Sequence, residues 1–304
     1  MSRALRRLVP ILIPVVILTA CATRVVLAHP GAAATPQPAE TLFSGHWHNG
    51  VAVASLSGLP AFDRAAGESP AIVQVYYGFG SPFPTAAVDQ IIRHGARPMI
   101  MLNPRGVPLS EIAAGRFDVH LRAWARQAAA VRQPVAVNFG HEMNGDWFSW
   151  GYRHTSPQVF VAAWRHIVRL FRQAGARNVI WVWIVNIVRP DDPQIAPIAP
   201  WWPGSAYVTW VGIDGYLRTP TETFAGVFGD VNTQIRSLTL KPVLVTETGV
   251  GPSPAAGAQI ANLFSGARAY GFIGLVYFDI PAREDWRLQD DPPALAAFRK
   301  AVRA

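Results

Sequence analysis

Val135-Ala136-Val137-Asn138-Phe139-Gly140-His141-Glu142-Met143-Asn144-Gly145 is the stretch on which the reading of this chain turns. Its first five residues are almost continuously apolar, which predicts a strand buried on both faces, as in a parallel sheet covered by helices. The run then breaks at Gly140 into a polar turn that contains Glu142. A buried strand that ends this way holds its acid at the rim of a sheet, where a rigid element aims it at a pocket.

The same design recurs in Val243-Leu244-Val245-Thr246-Glu247-Thr248-Gly249. Further apolar runs span Val51 to Leu56, Ile72 to Tyr77, Pro98 to Leu102, Val179 to Ile184, Val211 to Ile213 and Ile273 to Phe278. With the two Glu-ended runs they make eight candidate strands. Amphipathic helical stretches alternate with them, among them Val119 to Arg132, Gln158 to Ala174 and Ala255 to Tyr270. Ser156 before Pro157 reads as a cap with proline at the first helical position, and Gly175 as the stop. Eight alternating units within residues 41–304 predict one α/β domain, a (β/α)8 TIM barrel, for which about 250 residues is typical. A doubly wound sheet would need a glycine-rich phosphate loop after its first strand. Gly78-Phe79-Gly80-Ser81-Pro82-Phe83 lacks the third glycine. Prolines at 190, 193, 197, 200 and 203 rule out a full helix between Asn186 and Tyr207, so the fifth crossover is expected to be mostly loop, of the kind that shapes a cleft.

Half of the 304 residues are apolar and 15% are charged, which describes a chain with a large core. The formal charge is +8, but Arg3, Arg6 and Arg7 belong to a leader, leaving +5 for the rest. The remaining basic residues are scattered arginines and two lysines, Lys241 and Lys300, without the stripe that tracks phosphates, so nucleic acid is excluded as a partner. Residues 1–21 read as a signal peptide: a basic start, an apolar stretch from Leu8 to Ala20 too short to span a bilayer, and a lipobox, Leu18-Thr19-Ala20-Cys21. Cys21 is the only cysteine; it can form no internal disulfide and is expected to carry a lipid anchor. Residues 22–40 are small and rich in Ala, Pro and Thr, a tether. The expectation is an exported cell-envelope lipoprotein, or a secreted protein if cleavage falls near Ala28.

Two acids on strand ends far apart in sequence suit glycosidic bond cleavage. One carboxyl must be protonated to release the leaving oxygen while the other, ionised, attacks or stabilises the sugar cation. Trp147, Phe148 and Trp150 beside Glu142 would lower local polarity and raise its pKa. A metalloprotease reading fails, because His141-Glu142-Met143-Asn144-Gly145 has no second histidine at the fifth place. His46-Trp47-His48 could offer two metal ligands but reads instead as a polar start to the first strand near the cleft. No metal or organic cofactor is expected. Of the eleven tryptophans, Trp47, Trp147, Trp150, Trp183, Trp201, Trp202 and Trp286 fall at strand ends or in loops, where indole can stack on sugar; Trp124 and Trp164 lie in helices and read as packing.

The segment from His141 to Gly151 resembles the acid/base segment of glycoside hydrolase family 26, the β-mannanase and related β-glucanase family. Trp181 to Asn186, Trp210 to Tyr216 and Lys241 to Gly249 resemble blocks that follow it in the same order, and the likeness runs from about Gly45 to the C-terminus. The resemblance implies Glu142 as general acid/base, Glu247 as nucleophile held by Tyr216, a retaining mechanism and a sugar platform at Trp147; His141, Asn186, Tyr216 and the rim tryptophans Trp183 and Trp286 are the further expected sugar contacts, with core packing the alternative for each rim tryptophan. It implies a β-linked polysaccharide as substrate, β-1,4-mannan first and β-glucan second; the chain is expected to act as a monomer. Transglycosylation would use the same residues, and a catalytically silent glycan-binding barrel is the alternative from another class. Family members often carry Arg where this chain has Asn138, three residues before the His-Glu pair. Asn offers only neutral hydrogen bonds there.

Overall fold

Each apolar run becomes a strand. The computed structural model describes residues 47–189, 191–282 and 284–304. Eight parallel strands, β1 (His48–Val53), β2 (Ile72–Gly78), β3 (Arg97–Asn103), β4 (Val135–Phe139), β5 (Val179–Asn186), β6 (Trp210–Asp214), β7 (Val243–Thr248) and β8 (Gly274–Asp279), close into a barrel in chain order, with β8 paired to β1. The α-helices α1 (Leu59–Ala66), α2 (Thr85–Arg93), α3 (Leu109–Ala113), α4 (Asp118–Ala130), α5 (Pro157–Gln173), α6 (Phe224–Leu238), α7 (Ala256–Ala269) and α8 (Pro292–Val302) connect them. The expected (β/α)8 barrel is therefore present. The signal peptide, the lipobox with Cys21, the tether and His46 lie outside the described residues.

Local chemistry sets the boundaries. Ser156 caps α5 by accepting the Val159 N–H, with Pro157 at the first helical position, and Gly175 follows the helix at φ 83°. Along α5 the buried residues Phe160, Ala163, Trp164, Ile167, Val168 and Phe171 recur at the three-to-four spacing that puts them on one face. β1 begins three residues earlier than expected and ends at Val53. Beyond it Ser55 accepts the Ser57 N–H and starts a 3-10 turn, Leu56–Gly58, which takes the chain out of the sheet.

Period-two alternation divides every strand between two cores. On β5, Ile180, Val182 and Ile184 join Ile72, Met99, Met101, Trp210 and Leu244 inside the barrel. Trp181, Trp183 and Val185 point outward into the layer beneath the helices. Above the apolar filling, toward the C-terminal ends of the strands, inward positions turn polar: Gln74, Asn138, Asp214 and Thr246, all fully buried.

The fifth crossover departs from a regular unit as the prolines predict. Between β5 and β6 the described chain makes only the 3-10 turns Ala199–Trp201 and Ser205–Tyr207. Buried Ile198 and Trp201 cover the barrel where a helix would lie, and Trp202 sets its ring 5.0 Å from that of Trp183. Arg165 on α5 donates to the Pro203 carbonyl and Trp164 to that of Tyr207, so the segment is bolted to the neighbouring helix.

Candidate active site

Glu142 follows β4 in the left-handed region, at φ 52°, where a residue with a side chain is strained by roughly 1–3 kcal/mol. Three contacts hold that conformation. The Glu142 N–H donates to the Ile184 carbonyl on β5, its carbonyl accepts the Gly145 N–H, and Trp150 donates its indole N–H to the His141 carbonyl. Gly145 leaves the space that the Trp147 ring occupies; a Cβ there would overlap the indole. Trp147 Nε1 then donates to Glu142 Oε2 at 2.6 Å, and Asn186 Nδ2 donates to Oε1 at 2.6 Å. Asn186 is itself fixed through its backbone, since the Asn144 amide accepts its N–H and donates to its carbonyl.

Glu247 reaches the barrel mouth by another device. Between β6 and β7 the register steps from Ile213 opposite Val245 to Asp214 opposite Glu247, so Thr246 is an extra residue, a β-bulge. Strict alternation would send Glu247 outward with Val243 and Val245. The bulge lets both Thr246 and Glu247 face inward. Thr246 Oγ1 donates to Asp214 Oδ1 at 2.6 Å, and Gly212 makes room for it, because a Cβ there would lie 2.6 Å from Thr246 Oγ1 and from Ile184 Cγ1. Glu247 accepts from two phenols: Tyr216 at Oε1, 2.5 Å, and Tyr76 at Oε2, 2.6 Å.

Both acids line a single cleft of about 740 Å³ at the C-terminal mouth, with Trp147, Asn186, Tyr216, Phe278 and Trp286 around them. Tyr216 and Trp286 lie 4.4 Å apart between ring centroids, and the Arg218 guanidinium stands 5.7 Å from the Tyr216 ring. Arg189, Asp192, Arg218, Glu222 and Glu284 form a charged rim, in which Arg189 pairs with Glu222 at 3.1 Å. One wall is built jointly. The turn after β4 pairs Gly145 with Ile195 of the fifth crossover, Asp146 donates its N–H to Gln194, and Arg153 donates to the Pro193 carbonyl.

The electrostatics separate the two carboxyls. Burial, and then the charge on Glu247, pushes Glu142 up to about 7, against the pull of the Asn186 and Trp147 bonds and of Arg218. Burial also raises Glu247, and its two phenol bonds oppose that rise. Beside the Glu247 charge, Glu142 keeps its proton up to about 7. Asp214 is pushed well above its usual range by burial and by both glutamates, so a third, neutral carboxyl sits below them. Burial lowers His141 to about 3 and leaves its imidazole neutral.

Of the residues expected from the sequence, Glu142, Glu247, Trp147, Asn186, Tyr216 and Trp286 meet in the cleft. His141 and Trp183 are not among its lining. His141 is buried beside it, its ring edge-on to Phe148 at 4.8 Å. Trp183 is a correction: it occupies an outward position of β5 and packs under the helical layer without solvent exposure. Trp150 and Trp201 are likewise fully buried, and Trp124 and Trp164 are packing residues as read. The residues around Trp47 also need correcting. Trp47 precedes and His48 starts β1 at the opposite pole, where the Trp47 ring lies under Arg268 at 4.6 Å, because parallel strands all begin at the end away from the cleft. Asn138 spends its amide on the Val182 carbonyl rather than on either carboxylate. Among the described residues no group of three or more His, Cys, Asp or Glu is arranged to hold a metal ion. Sequence reading missed Tyr76, Gln74, Asp214 and Thr246. Their signal was available as polar residues at alternate positions of otherwise apolar strands.

A closed parallel barrel with two buried, unequal carboxyls at its C-terminal mouth defines the class of two-acid barrel proteins. The sequence profile of glycosyl hydrolase family 26 matches residues 115–264, which include the β4 and β7 ends. The chain is 29% identical over 266 residues to endoglucanase H of Acetivibrio thermocellus, covering 82% of this chain and 29% of that protein. It is 26% identical over 172 residues to a mannan endo-1,4-beta-mannosidase of Bacillus subtilis, covering 54% and 43%. The chain thus spans less than half the length of these curated relatives. Among solved structures, the catalytic domain of a Bacillus sp. JAMB-750 GH26 endo-beta-1,4-mannanase superposes with a TM-score of 0.68 at 15% identity, covering 88% of each chain. A Cellulomonas fimi endo-beta-1,4-mannanase gives 0.66 at 16%, covering 86% of this chain and 72% of that one. The family model, the curated relatives and the solved structures all point to glycoside hydrolase family 26.

Proposed function

We propose that the protein hydrolyses a β-linked polysaccharide with retention of configuration, Glu247 acting as nucleophile and Glu142 as general acid/base. The observation that carries this reading is the inequality of the two acids in one cleft: Glu142 keeps its proton up to about 7 in part because Glu247 is charged. In the first step a Glu247 oxygen attacks the anomeric carbon while Glu142 gives its proton to the departing glycosidic oxygen. In the second, ionised Glu142 takes a proton from water, whose oxygen displaces Glu247. Trp147 and Asn186 orient Glu142 through its hydrogen bonds, and Tyr216 and Trp286 supply an aromatic surface against which a sugar ring can pack.

β-1,4-Mannan is the first substrate choice, supported by the mannanase names among the relatives and solved folds. β-Glucan is the second, favoured by endoglucanase H, which aligns with 82% of this chain. Incubation of the purified protein with a panel of β-mannans and β-glucans, followed by product analysis, tests both. Failure on every member, with the fold intact, would leave the silent glycan-binding barrel. We further propose export and anchoring through Cys21, which predicts that Cys21→Ser moves the protein out of the membrane fraction; equal partitioning of the two forms rejects the anchor.

A further inference from the structure

We propose that Tyr76, aimed by Gln74, is a further catalytic residue: from β2 it donates the second hydrogen bond that keeps Glu247 ionised, a task otherwise left to Tyr216 alone. The proposal rests on the reading of Glu247 as nucleophile and assigns the means by which that group is made ready.

The direction of the bonds follows from the donors available. Gln74 Nε2 lies 2.6 Å from the Tyr76 hydroxyl oxygen, and an amide nitrogen can only donate. The phenol oxygen therefore accepts from Gln74, and its single proton is left for Glu247 Oε2, 2.6 Å away. Gln74 and Tyr76 sit two apart on β2, so both face into the barrel, and closure of the sheet brings them to β7 across it. The ring is held edge-on by Phe278 at 6.4 Å and His141 at 6.2 Å, which fixes the hydroxyl before substrate arrives.

The need for this donor comes from charge. Among the described residues both hydrogen bonds to Glu247 come from neutral phenols rather than from a cation. Burial alone favours the protonated acid, which cannot attack an anomeric carbon. Two donors to the charged form oppose burial, and they also stabilise the carboxylate when it leaves the sugar in the second step. The Tyr76 phenol keeps its own proton throughout, since burial and the Glu247 charge hold it well above its ordinary value.

The test uses covalent trapping. A 2,4-dinitrophenyl 2-deoxy-2-fluoro-β-glycoside, as the cellobioside and the mannobioside, loses dinitrophenolate as a Glu247 oxygen bonds to the anomeric carbon. Intact mass gives labelling rate against pH and reactivation rate in water. For Tyr76→Phe the acid limb of labelling should move up by roughly one pH unit, and reactivation should slow about tenfold or more. Gln74→Leu, which touches neither Glu247 nor substrate, should move both in the same direction by less. Unchanged pH limb and reactivation in Tyr76→Phe overturn the proposal while leaving Glu247 as nucleophile. Wild-type protein that carries label on another residue overturns the nucleophile reading and the Tyr76 role with it. Should Tyr76→Phe fail to fold, the Gln74→Leu profile decides: a wild-type profile there rejects the relay.

Discussion

The ends of β4 and β7 present the same functional group by opposite means. At β4 the backbone is bent into the left-handed region and the carboxyl receives nitrogen donors, an indole and an amide. At β7 the backbone stays extended but gains a residue, and the carboxyl receives two phenolic protons. A single strained residue aims Glu142; an inserted one aims Glu247. The difference teaches that role is not written in side-chain type. It lies in what surrounds each acid: burial beside the Glu247 charge raises Glu142, while phenols from β2 and from the turn after β6 donate to Glu247.

The widest expected gap comes from truncating each acid. Glu247→Ala should reduce turnover of every glycoside by at least about 10⁴-fold, because no covalent intermediate can form. Glu142→Ala should lose roughly 10²- to 10⁴-fold on polysaccharide yet spare the first step on aryl glycosides with good leaving groups, with azide restoring turnover. Azide rescue of Glu247→Ala instead, giving an inverted glycosyl azide, would exchange the two roles.

The bulge should come next. Thr246→Val removes the donor to Asp214 Oδ1 and leaves a buried carboxyl without that bond, a loss of about 1–3 kcal/mol in folding free energy. Denaturant unfolding measures the loss, and kcat should fall with it as Glu247 loses its aim. Unchanged kcat in a destabilised variant would show that the bulge holds the fold without positioning the acid.

The unequal ionisation predicts a stability effect of known sign. Glu142 has a folded-state pKa raised to about 7, so its favourable contribution is full below the unfolded value and fades as pH rises toward 7. Glu142→Gln should therefore match wild type near pH 4 and exceed it by about 1–3 kcal/mol above pH 7, at the expense of activity. Thermal unfolding at the two pH values checks this; a gain at pH 4 equal to that at pH 8 would mean that packing, not charge, is responsible.

The smallest effect is reserved for an indole outside the cleft. Trp183→Phe should lower stability by about 1–2 kcal/mol and leave KM for glycans unchanged, whereas Trp286→Ala should raise KM. A KM change for Trp183→Phe would restore the sugar-binding role that its place on β5 denies it.

The strands were legible because double burial writes nearly unbroken apolar runs, and β4 was read to the residue. The two glutamates were legible because each interrupts such a run at its end. Trp183 was misread because strand-end position was weighed without the alternation that turns residues 181, 183 and 185 outward. Tyr76, and Gln74 behind it, escaped because the Tyr76 bond to Glu247 crosses 171 residues of sequence and exists only after the barrel has closed. The bulge at Thr246 leaves no mark in the local pattern at all, since one added residue changes facing without changing composition.

The segment between β5 and β6 serves two purposes at once. Ile195 and Gln194 belong to the cleft wall, while Ile198 and Trp201, a few residues on, stand in for the absent helix. In a regular barrel unit a loop can drift in evolution while its helix conserves the fold. Here that independence is lost. Changes that re-tune glycan preference along this wall must pass through a segment whose failure uncovers the core, so new specificities in this lineage should arise more readily from the β6 and β8 loops.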